Sequence, residues 1–127
     1  MNERILIVED EAITALDLKY SLEELGYEVV DTVDTGQDAI DTAIETKPDV
    51  VLMDIKLKGA MEGIEAAEII SEYKIPIIYL TANTDTDTFE KSNVKFTYGF
   101  ISKPYDLSKL DEKLKSTIQK FKADLEK

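Results

Sequence analysis

The chain has 127 residues, 43% of them apolar and 33% charged, with a net charge of -12, no cysteine and no histidine. That fits one soluble globular domain, 1–127, with a sizeable core rather than a disordered segment. It excludes disulfides, thiolate and imidazole metal sites, imidazole bases and phosphohistidine on this chain, and the acidic balance disfavours direct nucleic-acid contact. No apolar run nears the roughly 20 residues of a membrane span and no signal peptide opens the chain, so a cytoplasmic location is expected.

In chain order, Arg4–Val8 reads as a strand that stops at Glu9-Asp10-Glu11. Ala12 to Leu25 is helical, with Ala15, Leu18, Leu22 and Leu25 on one face and Gly26 as the stop. Glu28–Val33 is a second strand. Thr35 caps a second helix whose buried side is Ala39, Ile40, Ala43 and Ile44, and Lys47-Pro48 ends it. The third strand, Asp49 to Met53, runs straight into Asp54. After a loop rich in Lys and Gly, Glu65 to Tyr73 is helical with Ala66, Ala67 and Ile70 inward. Ile77–Leu80 is a fourth strand ending at Thr81, and Asp85 to Lys91 a weaker helix. Tyr98–Ile101 is a fifth strand ending at Ser102-Lys103-Pro104. The last helix starts near Asp106 and carries an apolar stripe of Leu107, Leu110, Leu114, Ile118, Phe121 and Leu125.

Five strands and five helices in strict alternation predict an α/β fold: a doubly wound parallel sheet with right-handed crossovers. In such sheets ligands bind beyond the carboxyl ends of the strands. The residues delivered to that edge are Glu9 and Asp10, Asp54, Thr81 and Lys103. Taken singly, each has an ordinary explanation as a helix cap, a strand-end polar group or a surface lysine. Together they point to chemistry. Clustered carboxylates repel one another unless a cation sits among them, and hard oxygen ligands with room for water suit Mg2+. Asp54 can be a metal ligand, a nucleophile that forms an aspartyl phosphate, or both. Thr81 can donate to a phosphoryl oxygen, and Lys103 can pair with Asp54 and then with the phosphoryl group. Pro104 is a candidate cis-proline that would hold the Lys103 ammonium over the site.

The set Glu9-Asp10, Asp54, Thr81-Ala82 and Lys103-Pro104 resembles the signature of the receiver domain of two-component response regulators, in order, spacing and strand context, over nearly the whole chain. The resemblance implies a flavodoxin-like (βα)5 fold with strand order 2-1-3-4-5. It implies a phosphoacceptor rather than an independent enzyme: Asp54 takes a phosphoryl group from a histidine kinase and assists its own phosphorylation and dephosphorylation. Glu9, Asp10, Asp54 and the backbone carbonyl of Lys56 would hold Mg2+. Thr81 and Lys103 would contact the phosphoryl group, and the Lys103–Pro104 bond would be cis. Thr81 and Phe100 would form the switch. Phe100 lacks the hydroxyl of the tyrosine common in relatives, so it acts by packing alone. The signal would pass to a downstream partner or a linked output domain through the fourth helix, fifth strand and fifth helix, a surface that is also a candidate for homodimer formation. Lys56 and Asn83 match positions that tune self-dephosphorylation. The loop Lys56–Gly63 departs from the family: it has Lys58 where a proline is frequent, reads Met-Glu-Gly, and is one residue longer than the commonest form.

Two rival classes share parts of this pattern. An aspartate-nucleophile phosphatase also uses Mg2+ on an α/β sheet, but needs a second acid where this chain has Lys56. An interaction module that is never phosphorylated would have no use for the five-residue set. The stretch Asn83–Glu90 fails as a calcium loop, and no glycine-rich nucleotide loop occurs. No output module follows the last helix within the 127 residues. The chain is therefore expected to be either a single-domain regulator or a fragment. Residues 119–127 are a candidate helical extension, read either as a long packing helix or as a dimer surface or coiled-coil lead.

Overall fold

The computed structural model describes residues 3–57, 59, 61–81, 95–102 and 106–126. Runs rich in Ile, Val and Leu form five strands: β1 (Arg4–Val8), β2 (Glu28–Val33), β3 (Val50–Asp54), β4 (Ile77–Thr81) and β5 (Thr97–Ser102). Among the described residues there are four helices: α1 (Ala12–Glu24), α2 (Gly36–Thr46), α3 (Gly63–Ser71) and a C-terminal helix, here α4 (Leu107–Leu125). The additional helix expected over Asp85–Lys91 lies outside the described residues. All strand pairs are parallel, in the order β2-β1-β3-β4-β5, which is the expected flavodoxin-like α/β arrangement.

Alternation along the strands builds two cores, one on each face of the sheet. Leu6, Val8, Val51, Met53, Ile77 and Tyr79 pack with Ala39, Ile40 and Ala43 of α2 and Ala66, Ala67 and Ile70 of α3. Ile5, Ile7, Val50, Leu52, Ile78, Leu80 and Ile101 pack with Leu18 and Leu22 of α1 and Leu110 and Leu114 of α4. Every residue of β3 and β4 is buried.

The helix ends follow local chemistry. Gly26 takes φ 97°, and α1 closes with Gly26 N–H donating to Glu23 O and Tyr27 N–H to Leu22 O, a Schellman stop. The Thr35 side chain accepts from Asp38 N–H at 3.1 Å, and Asp106 accepts from Ser108 and Lys109 N–H at 2.9 and 3.4 Å, so both caps form. Lys47 leaves α2 in the left-handed region, φ 47°, rather than the extended region usual before proline.

Several expectations need correction. Ile44, assigned to the buried side of α2, is 37% exposed. The third helix starts at Gly63, two residues before Glu65, because Gly63 N–H bonds Ile55 O at 2.8 Å and opens the first turn there; it ends at Ser71, leaving Tyr73 exposed. The stripe of α4 is interrupted at both ends: Leu107 and Leu125 are exposed, because the sheet reaches only Leu110 and Leu114 fully. Strand β5 begins at Thr97 and contains an extra residue: Ile77 pairs with Thr97 but Tyr79 with Phe100. Gly99, φ 105°, sits in that bulge, and a Cβ there would fall 2.6 Å from Lys113 Nζ.

Polar clamps hold α4 in place. Tyr27 Oη donates to Asp111 Oδ1 at 2.7 Å, and Tyr98 Oη to Asp124 Oδ2 at 2.6 Å. Phe121 meets Phe96 edge-on at 5.2 Å between ring centroids and Tyr98 at 6.5 Å.

Candidate functional site

The strand order decides which chain ends become neighbours. β1 lies between β2 and β3, and Val8 pairs with Met53, so the next residues, Glu9 and Asp54, come side by side at the carboxyl edge. Asp54 in turn pairs with Leu80, which sets Thr81 one step beyond on the adjoining strand, and Thr81 pairs with Ser102. The edge therefore presents Glu9 and Asp10, Asp54, Thr81 and Ser102 in spatial order. Lys103 and Pro104, which follow Ser102, lie outside the described residues, as do Ala82 and Asn83.

The carboxylates converge. Glu9, Asp10 and Asp54 each bring one oxygen into a group whose members lie within 4.8 Å of one another. Glu9 is 2% exposed and Asp54 6%, while Asp10 is half-buried. Two unit charges 4.8 Å apart repel by about 3.5 kcal/mol at an effective dielectric of about 20, and by about 0.9 kcal/mol in bulk water. Three such pairs on one sheet edge are a standing cost that a cation would offset. The donor set fits Mg2+: oxygen ligands only, near the roughly 2.9–4.2 Å oxygen separations of an octahedral shell at 2.0–2.1 Å, and open to solvent on the Asp10 side.

The backbone after Asp54 positions its side chain. Lys56 N–H donates to Asp54 Oδ1 at 3.2 Å. Ile55 N–H donates to Leu80 O at 3.3 Å, carrying the ladder past the end of β3, and Ile55 O accepts from Gly63 N–H. The loop Lys56–Glu62 is thus tied at both ends to the strand that carries Asp54. Gly63 is required here: an added Cβ would collide with the Asp54 carbonyl oxygen and lie 2.9 Å from Ile55 Cα. Glu62 N–H bonds Glu65 Oε1 at 3.4 Å, one arm of a capping box. The departure of this loop from the family pattern is legible in the sequence, but the role of Gly63 is not. Its only local signal was a glycine just ahead of a helical pattern.

Thr81 is fully buried at the end of β4. Phe100 is half-buried and packs against the core shared by Tyr79, Met53 and α3. Since Tyr79 pairs with Phe100 and Thr81 with Ser102, alternation puts Thr81 and Phe100 on one face of the sheet, one step apart diagonally. The Lys56 side chain is exposed, on the loop that leaves the site. A groove of about 480 Å³ opens beside Glu9 and Asp10, between the loop after β1 and the loop after β2, where Asp34 and Asp38 add further acids.

Residues 5–115 match the family described as the response regulator receiver domain. The chain is 38% identical over 120 residues to the transcriptional regulatory protein PdtaR of Mycobacterium tuberculosis; the match covers 94% of this chain and 58% of that protein, so the chain spans little more than half the length of this curated relative. Among solved structures it is similar to the signal receiver domain of a modulated diguanylate cyclase from Desulfovibrio desulfuricans G20 (TM-score 0.90, 34% identity, 98% of this chain and 99% of that one). It is also similar to the receiver domain of the sensor histidine kinase PA1611 from Pseudomonas aeruginosa PAO1 (TM-score 0.81, 28% identity, 94% and 99%), a structure with a magnesium ion coordinated in its active site cleft.

Proposed function

The chain belongs to the response regulator receiver domain family, and on that premise we propose that Asp54 is the phosphoacceptor of a two-component system. It takes its phosphoryl group from a phosphohistidine of a histidine kinase. One observation carries this reading: Asp54 ends β3 in a carboxylate group with Glu9 and Asp10, next to the strand that ends in Thr81.

In the transfer an Asp54 carboxylate oxygen forms a bond to phosphorus. The bond from phosphorus to the donor imidazole nitrogen breaks, and that nitrogen keeps the electron pair. Lys56 N–H on Oδ1 orients the carboxylate for this attack. Glu9, Asp10, Asp54 and the Lys56 carbonyl are the residues that would hold Mg2+, whose contribution is to neutralise charge on the transferred group. Thr81 donates to a phosphoryl oxygen, and Lys103 pairs with Asp54 before transfer and with the phosphoryl group after it. Attack by water on phosphorus returns Asp54 to its starting state. The domain is an acceptor that assists its own turnover, not an enzyme with a separate substrate.

The readout starts at Thr81. Drawing its hydroxyl toward the phosphoryl group vacates space on the face it shares with Phe100, and the ring moves into it, a two-state element biased by a local charge event. The altered surface of β5 and α4, with the segment between β4 and β5, then binds a downstream partner, a linked output domain or a second receiver. Residues 1–127 act as one receiver unit, with 119–127 extending it toward such a partner.

The test is phosphorylation by acetyl phosphate, or beryllofluoride binding, in the presence of Mg2+. The wild type gains the mass or spectral change and Asp54→Asn does not. If both behave alike, Asp54 is not the acceptor.

A further inference from the structure

We propose that the chain has a second ligand site at the opposite edge of the sheet, a groove that takes a small soluble amphiphilic anion with an apolar body and a carboxylate, sulfonate or phosphate head. The groove has a volume of about 660 Å³, within the range of small-molecule sites, and lies where the ends of α2 and α4 meet the turn after α3. It adjoins Asp49, before the first residue of β3, so the length of that strand, roughly 16 Å, separates it from Asp54.

Its lining divides by chemistry. Ile44, Tyr73, Ile75, Phe121 and Leu125 form an apolar wall, and three of them, Ile44, Tyr73 and Leu125, are exposed large side chains that no described element covers. Lys47, Lys74 and Lys122 stand around it. None of the three makes an ion pair among the described residues, in a chain whose net charge is -12. The one acid in the lining, Asp49, has its Oδ2 bonded by Arg4 N–H at 2.7 Å.

The ordinary account of lysines at helix C-termini is that they complement the helix dipole. For α2 that role is already filled: the Arg4 guanidinium donates to Thr46 O at 2.6 Å and Lys47 O at 3.4 Å. Lys47 and Lys74 also adopt left-handed backbone conformations, φ 47° and 59°, which glycine or asparagine usually supplies after a helix. Phe96, the third non-glycine residue with positive φ among those described, packs on Phe121 of the groove. An apolar wall explains the body of the ligand, and three ammonium groups without carboxylate partners explain its head.

Decanoate serves as the probe, followed by amide chemical shifts of the full chain. Saturable shifts at Ile44, Tyr73, Ile75 and Leu125, with Glu9 and Asp54 unmoved, support the site; no saturable shift at millimolar decanoate overturns it. The paired variant Lys74→Glu, Lys122→Glu should weaken binding at least about tenfold, while the charge-matched pair Lys19→Glu, Lys109→Glu, on α1 and at the start of α4, should leave it unchanged. Equal weakening by both means that only global charge is sensed and refutes the site. Octyl glucoside binding as tightly as decanoate refutes the anionic head. Co-sedimentation of the wild type with phosphatidylglycerol vesicles, lost in the paired variant, assigns the lysines to a membrane surface and overturns the soluble ligand. Far-ultraviolet circular dichroism confirms that each variant is folded.

Discussion

In a Lys103→Met background, which removes the attractive pair proposed for Asp54, Asp54→Asn should make the metal-free protein more stable, not less. The substitution keeps the side-chain size and the oxygen that accepts from Lys56 N–H, so its main effect is to remove charge. It abolishes two of the three carboxylate pairs formed by Glu9, Asp10 and Asp54. At 4.8 Å each pair costs between about 0.9 and 3.5 kcal/mol for effective dielectrics of about 80 and 20, which brackets the gain at about 2–7 kcal/mol. Asp10 is half-buried and solvent-screened, so its pair with Asp54 takes the lower figure, whereas the buried Glu9–Asp54 pair takes the upper one: about 4 kcal/mol together, or about 15 °C in Tm for a chain of this length. The assay is urea unfolding followed by circular dichroism at neutral pH, low salt and excess EDTA. Adding Mg2+ at about 100 times its Kd should then raise the Lys103→Met parent by about 2.7 kcal/mol and the Asp54→Asn variant of it by much less. A variant of equal or lower stability in EDTA would show that repulsion among these acids does not govern the site.

Four further outcomes are expected. Asp10→Ala should weaken Mg2+ binding at least about tenfold in a calorimetric titration, and unchanged affinity would remove Asp10 from the ligand set. Gly63→Ala should cost about 2 kcal/mol or more, since its Cβ collides with the Asp54 carbonyl oxygen; a loss below about 0.5 kcal/mol in urea would mean the loop shifts freely. Tyr27→Phe should cost about 1–2 kcal/mol by removing the donor to Asp111. Burial, and then the bond to Asp111, push the Tyr27 hydroxyl well above the usual tyrosine value, so its stabilisation is complete below pH of about 10 and declines above it as the unfolded tyrosine ionises; urea midpoints between pH of about 9 and 11 should fall less steeply in the variant. Phe121→Ala should cost about 2–3 kcal/mol through lost contacts with Phe96 and Tyr98, and a loss near zero would mean that the end of α4 is not docked on β5.

What could be read in advance was whatever has a local signature. Val50–Met53 followed by Asp54 announces a buried strand that ends in a carboxylate, and the same pattern at Val8–Glu9 and Leu80–Thr81 marks the other strand ends. Thr35, Gly26 and Asp106 were legible because caps and stops act within a few residues. What escaped depends on partners distant in sequence. Tyr27 meets Asp111 across 84 positions, and nothing near either residue foretells it. Gly99 looked like an interior strand residue, yet it forms a bulge that leaves room for Lys113 Nζ. In α1 the face read from periodicity, Ala15, Leu18 and Leu22, is the buried one, while a second apolar set, Ile13, Leu16 and Tyr20, faces solvent with no local signal of its own.

The site is therefore a product of register more than of motif. Glu9 and Asp54 are 45 positions apart and become neighbours only because Val8 pairs with Met53. A slip of one residue in β3 would set Met53 at the edge beside Glu9 and exchange the side chains that face the two cores. Both cores resist this: Val51 and Met53 are fully buried on the α2–α3 face, and Val50 and Leu52 on the α1–α4 face. The apolar alternation of β3 thus specifies where Asp54 stands, and the Gly63 contact fixes how closely the following helix can approach it. Hydrophobic residues that take no part in the chemistry hold three like charges together, which no interaction among the carboxylates themselves would do.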